Sequence, residues 1–411
     1  MTGALLPRRG LVVLIHRYVG LVLSGFLLLA GLTGSLLAWF DELEAFVSPQ
    51  LFVATAPAGA RPLDPLLLRE RVLAEFPGLD LPYAPLHMEA GRTVMYSIKR
   101  RPAAADGTRG DDQAFINPYT GAVQGTRKWG DLSQGSKNLM PFVYRLHTSL
   151  ALGVIGTYAF GVISLLWTLD CFIGAWLTFP PRAQRQGAKS WRRRWWPAWL
   201  VRWNGGAHKL NFDLHRAGGL WPWAMLLVLA WSGVAFNLKE VYLPVMDAVF
   251  AHQQGGKAQP VLARPQALPG LDWHSARETG RRLMAQQAAQ LGFTIEGEDS
   301  LVYSAAHAMF IYDVKSSIDV ARVNGVTRVI FDANTGEYRD RWLPTGAAAG
   351  DTIRSWITLL HRAAAGGALG GWPLQLLVCA LGMVVSVLSV TGVRIWLRKR
   401  RGRMQAASSR A

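Results

Sequence analysis

Four histidines carry the one pattern in this chain that could do chemistry. His16 and His215 each open an HR dipeptide at the head of an apolar run, in "LIHRYVGLVLSGFLLLAGLTG" and "DLHRAGGLWPWAMLLVLAWSG". His147 and His361 stand in "RLHTSLALG" and "LLHRAAAGG". A histidine in an apolar helix can bond a neighbouring helix, anchor at headgroups, relay protons or ligate a metal through a neutral ring nitrogen. Two opposed imidazoles on one flat macrocycle make bis-histidine haem ligation, and apolar walls suit it. Glycines near each histidine leave room for a porphyrin: Gly20, Gly25, Gly218, Gly219, Gly153, Gly156, Gly366 and Gly367. Arg17, Arg216 and Arg362 follow their histidines directly and Arg145 lies two before His147. Guanidinium groups so placed suit haem propionates at the membrane surface.

The plainer readings stay open for any single histidine. A proton relay would want carboxylates between the histidine pairs, and there the apolar runs offer only Asp170, near the cytoplasmic end. A single metal site would need its ligands at one depth. His208, two turns before His215, is a reserve ligand. His87, His252, His274 and His307 lack metal-ligand spacing. Cys171 and Cys379 form no CxxC or CxxCH pattern, so neither covalent haem nor an iron–sulfur cluster can be built on them.

The elements that must position these residues are membrane helices. Of 411 residues half are hydrophobic, and 17 are tryptophan. The apolar residues concentrate in four runs, 11–40, 139–180, 213–239 and 353–397, each long enough for a span of about 20 residues. The first is too long for a signal-peptide core and has no clear cleavage site after it, so it reads as a retained anchor.

Charge orients the spans. The tail through Arg17, the segment 170–216 and the end from Arg394 hold 19 of the 44 Lys/Arg and only two of the 27 acids, Asp170 and Asp213. The remainder is balanced at 25 of each, so the whole net charge of +17 sits on one side of the membrane. The positive-inside rule makes that side cytoplasmic. Both termini, the loop 181–212 and the tail 398–411 are then inside, and the connections 41–138 and 240–352 are outside. The sequence pI of about 10.4 is thus a matter of topology, and no nucleic-acid partner is implied. "KSWRRRWWPAWLVRW" interleaves arginine and tryptophan as an interfacial segment on the lipid bilayer does.

The chain reads as one unit written twice: helix, external domain, helix. Without a gap, His16 falls on His215, Arg17 on Arg216, Gly20 on Gly219 and Gly34 on Gly233. "FINPYTGAV" matches "IFDANTGEY", each a strand, a turn with glycine at positive φ, and a second strand. "LDPLLLRERVLAEFPG" and "DWHSARETGRRLMAQQAAQLG" read as helices upstream of them. Each external domain is then an α+β unit. His147 falls on His361, with Gly174 and Gly392 marking the far ends.

The duplication sorts the histidines by depth. His16 and His215 begin outward-running helices; His147 and His361 begin inward-running ones. A pseudo-twofold axis along the membrane normal would pair His16 with His215 and His147 with His361. Each pair lies one to two turns inside a ~30 Å core, so the two irons would be about 20 Å apart along the normal.

"LIHRYVGLVLSGFLLLAGLTGSLLAWFDELE", "RLHTSLALG", "NFDLHRAGGLW" and "PYTGAV" resemble the PepSY-associated transmembrane-helix family over nearly the whole chain. That family includes inner-membrane di-haem reductases of ferric siderophores such as ferrioxamine. The resemblance implies four transmembrane helices with two PepSY-like periplasmic domains and two non-covalent haem b groups. It further implies axial ligands at His16, His215, His147 and His361, and reduction of a periplasmic ferric siderophore to release Fe(II). No dinucleotide fingerprint is present, so a cytoplasmic or quinone donor must supply the electron. A non-redox permease or accessory subunit, or a PepSY-type regulator, is the competing expectation; four spans with large external domains make a poor substrate channel, and a regulator leaves the four histidines unexplained.

Overall fold

The computed structural model describes residues 9–98, 111–181, 189–253, 261–322, 325–366 and 370–408. Gly367 lies outside them, as do parts of the loop 181–212 and of the tail 398–411.

Thirteen α-helices occur among the described residues. Those of the first half are α1 (Arg9–Leu37), α2 (Phe40–Val47), α3 (Pro49–Phe52), α4 (Pro65–Glu75), α5 (Leu139–Ser149), α6 (Gly153–Thr178) and α7 (Trp191–Trp195). Those of the second are α8 (Gly206–Leu220), α9 (Trp223–Asn237), α10 (Lys239–Val249), α11 (Trp273–Leu291), α12 (Ala349–His361) and α13 (Trp372–Ser408). Three are long and apolar enough to cross a membrane: α1, α6 and α13. The pair α8 and α9 makes a fourth if its 69° bend lies within one span. The bend falls at Trp221-Pro222, where proline supplies no N–H for a continuing helix.

Small residues let the spans approach closely. A Cβ on Gly31 of α1 would lie 2.5 Å from the carbonyl oxygen of Gly382 on α13, and the reverse holds for Gly382. Ser35 Oγ donates to Gly31 O and lies 2.9 Å from Cys379 O as well; Ser386 Oγ donates to Gly382 O. Small residues four apart on both helices thus bring two backbones together, the usual route to tight packing where lipid competes with apolar side chains. Between α6 and α9 the same device recurs at Gly161 against Asn237 O and at Gly233 against Ser164 Oγ.

His147 and His361 do not begin their spans, as the sequence reading had it. His147 is in the last turn of α5, and His361 is the last residue of α12. Leu150 and Ala151, at φ 53° and 56°, break the chain after the first, and Ala363, at φ 54°, after the second. Left-handed turns at non-glycine residues leave no mark in the apolar pattern.

Among the described residues, two antiparallel sheets lie outside the spans. One is three-stranded, in the order β2 (Val94–Ser97), β3 (Gln113–Ile116), β4 (Val123–Arg127). The other is five-stranded, in the order β1 (Tyr83–Pro85), β5 (Ile295–Ser304), β6 (Met309–Ser316), β7 (Thr327–Asp332), β8 (Tyr338–Trp342). Strand β1 belongs to the segment 41–138 yet pairs with β5 of the segment 240–352, Tyr83 opposite Val302. The two segments are therefore interlocked, where the sequence suggested separate domains. Leu66 of α4 sits in the core formed by Ala276, Met284, Phe310 and Phe331, while Leu68 packs with Val94 and Tyr96. Arg69 lies over the Trp273 ring, and Arg277 bonds Asp64 at 2.8 Å.

The expected turns form as matching structures. Asn117 Oδ1 accepts from the N–H groups of Tyr119 and Thr120, and Gly121 has φ 75°. Asp332 Oδ1 accepts from Asn334 and Thr335 in the same way, and Gly336 has φ 73°. A short acceptor side chain opening the turn and a glycine closing it is a sequence-readable device. Aspartates cap both upstream helices: Asp64 accepts from Leu66 N and Asp272 from Ser275 N.

Candidate functional site

The four histidines meet two by two. His16 on α1 and His215 on α8 have ring centres 6.1 Å apart, with planes inclined at 57°. His147 on α5 and His361 on α12 have ring centres 6.1 Å apart, inclined at 69°. These are the partners expected from the duplication of the chain. His208, in the first turn of α8, is exposed and joins neither pair.

Each ring is held through Nδ1. His147 Nδ1 is 2.9 Å from Thr33 Oγ1, and His361 Nδ1 is 2.5 Å from Ser232 Oγ. His215 Nδ1 is 3.1 Å from both Leu388 O and Thr391 Oγ1. His16 Nδ1 is 2.9 Å from Asp170 Oδ1.

These contacts fix the tautomers. Thr33 Oγ1 gives its proton to Leu29 O at 2.6 Å, Ser232 Oγ to Val228 O at 2.7 Å and Thr391 Oγ1 to Val387 O at 2.7 Å. A hydroxyl has one proton, so toward the histidine each can only accept. The carbonyl of Leu388 and the carboxylate of Asp170 accept as well. All four Nδ1 atoms therefore carry the proton. In a neutral imidazole that leaves the lone pair on Nε2, the state a metal ligand requires.

Glycines press on three of the rings. A Cβ on Gly34 would lie 3.1 Å from His147 Cε1, one on Gly392 3.1 Å from His215 Cε1, and one on Gly174 3.5 Å from His16 Cε1. Gly20 and Gly25, on the helix of His16, and Gly153, after His147, face open space. Gly218 and Gly219 meet only Leu388 within 4 Å. Gly156 and Gly366 are instead packed against backbone, at Ser149 O and Ala321 O, and leave no such room.

The arginines divide. Arg216 donates to Pro197 O and Asp213, and Arg202 also pairs with that fully buried carboxylate. Arg145 donates to Gly130 O. Arg17 is half-buried and Arg362 exposed.

Sequence reasoning missed the Nδ1 acceptors. Two had a legible signal: Thr33 and Ser232 occupy equivalent places in the alignment of the first and third apolar runs. Asp170 stood out as the acid of the runs, but its partner had no signal in the sequence.

Other histidines lie elsewhere. His252 Nδ1 is 3.2 Å from Asp351, His274 is 3.5 Å from Glu70, and His307 bonds Ser304. Among the described residues no group of three or more His, Cys, Asp or Glu could hold a metal ion. Each histidine pair thus offers two ligands, and a bound metal must bring the rest of its coordination with it.

The arrangement is that of a membrane protein with α+β elements outside its spans and paired histidines within its helical part. The chain belongs to the PepSY-associated TM region family, whose model matches residues 13–399. No curated protein matches it.

Proposed function

We propose that this chain is a haem-b reductase of the bacterial inner membrane that passes electrons outward to a periplasmic ferric siderophore. The observation that carries this reading is the pairing of four imidazoles, each held through Nδ1, with ring centres 6.1 Å apart in each pair. A metal–imidazole bond is about 2 Å and the ring centre lies about 1 Å beyond the nitrogen, so ring centres about 6 Å apart would suit two imidazoles holding one haem. A haem macrocycle would bring the ligands that the protein does not. His16 with His215, and His147 with His361, would hold two such groups. Arg17 and Arg362 keep their guanidinium groups for propionates; Arg216 and Arg145 would have to share theirs with the carbonyls they already bond.

Haem supplies one-electron redox chemistry, and the protein supplies position, ligand strength and insulation from water. One electron converts the Fe(III) of the chelate to Fe(II), which the siderophore holds weakly. A quinol or a cytoplasmic reductase is oxidised in exchange. The charge segregation supports cytoplasmic termini and periplasmic sheets, with four spans arranged as two copies of one unit and α8–α9 as the third span. A permease or a regulator would give the four prepared Nε2 atoms nothing to bind.

The test is electron transfer to substrate. Dithionite-reduced protein, freed of excess reductant, is mixed anaerobically with ferric siderophores beside an Fe(II)-trapping dye. Reoxidation of the protein with matching dye formation is expected. Reduced haem that persists beside every ferric chelate would exclude the substrate assignment.

A further inference from the structure

The two histidine pairs differ in charge at one Nδ1 partner. Three of the four Nδ1–H groups are given to uncharged oxygens: Thr33, Ser232, and Thr391 with Leu388 O. The fourth, on His16, is given to the carboxylate of Asp170. When Gly174 is matched with Gly392, Asp170 falls on Leu388, so the carboxylate stands where the other half uses a neutral carbonyl.

Orientation alone does not require that carboxylate. A hydroxyl on the neighbouring helix holds His147 and His361 just as closely. Asp170 is buried, 8% exposed, about two turns before the end of the apolar helix α6. An ionisable side chain within a membrane helix carries a cost that a threonine avoids. The charge must therefore act on something a hydroxyl does not affect.

A carboxylate draws the Nδ1 proton toward itself and raises the basicity of Nε2. A stronger axial donor favours the oxidised metal, and second-shell hydrogen bonding is an established control on haem potential. We infer that Asp170 is a positioning residue with an electronic role: it makes a haem held by His16 and His215 the lower-potential one and a haem held by His147 and His361 the higher. Electrons then run downhill from the first pair to the second. Under the charge segregation of the chain that direction is outward. The inference rests on the haem reading proposed above, and it gives the transfer a direction that the topology alone does not.

The experiment is a spectroelectrochemical titration of the purified full-length protein with haem bound. It compares wild type, Asp170→Asn, Asp170→Thr and, as a control in the other pair, Thr33→Val. Wild type is expected to show two separate midpoints. Both Asp170 variants should keep two haems, raise the lower midpoint and leave the upper in place, while Thr33→Val should move only the upper. An unmoved lower midpoint with both haems bound would overturn the inference and leave the haem reading standing. Loss of one haem in both Asp170 variants would assign the residue to holding His16 alone and would overturn it too. Wild-type protein without haem would overturn the proposed function itself, and this inference with it.

Discussion

Thr33 accepts a hydrogen bond from His147 Nδ1 at 2.9 Å while giving its own proton to Leu29 O at 2.6 Å. The hydroxyl is thereby a pure acceptor toward the ring. Removing such an outer partner costs about 10–100-fold in metal affinity at histidine sites. Thr33→Val and Ser232→Ala should each speed haem loss to an excess of haem scavenger by that order. Unchanged loss rates in both would show that the hydroxyls do not hold the rings.

The pairing sets a stoichiometry. His147→Ala and His361→Ala should each remove one haem's worth of absorbance, and the double variant should remove no more than either single. His16→Ala and His215→Ala should behave in the same way for the other haem. His252→Ala, whose ring bonds Asp351, should keep both. Equal haem content in all these proteins would contradict the ligand assignment.

Gly31 and Gly382 leave no room for a side chain between α1 and α13. Gly31→Leu should force the two helices apart and cost about 1–3 kcal/mol as overpacking. A lower melting temperature in detergent is the expected reading. Gly10, with open space around it, gives a control in Gly10→Leu that should melt like wild type.

Adjacent acids on β5 should respond to pH in opposite senses. Burial opposes ionisation of Glu298, but hydrogen bonds from Arg277, Arg281 and Tyr312 outweigh it and hold the carboxyl at about 2. Its contribution is complete above the ordinary glutamate value of 4.5 and is lost as pH falls through about 2. Burial raises Asp299 to about 6 from 3.8, so the stability it allows is complete below 3.8 and is lost as pH rises through about 6. Glu298→Gln should therefore lower the melting temperature at pH 7.5. Asp299→Asn should raise it there, with the gain shrinking as pH falls toward 4. A gain that stays constant with pH would contradict the assignment to Asp299.

The pairing of the four histidines was legible because the unit is written twice: two HR dipeptides align without a gap with glycines at the same offset, and a histidine recurs at the corresponding place before each closing span. The Asn117 and Asp332 turns were legible for the same reason, since an acceptor, a threonine and a glycine recur in order. The breaks at Leu150, Ala151 and Ala363 were not, because left-handed backbone at leucine and alanine is imposed by packing. Pro222 did mark the bend between α8 and α9, but the apolar run continues through it. Strand β1 was hidden for another reason. Tyr83–Pro85 is three residues long, and nothing in three residues says which sheet they will join. Asp170 was visible as an anomaly, but a contact over 154 residues of sequence is not written in either partner.

The most direct test of the central claim is the optical and EPR spectrum of purified protein together with a haem count. Two low-spin, six-coordinate haems per chain, reducible by dithionite with a sharp α-band, are the expected result. A colourless protein, or five-coordinate high-spin haem, would contradict it.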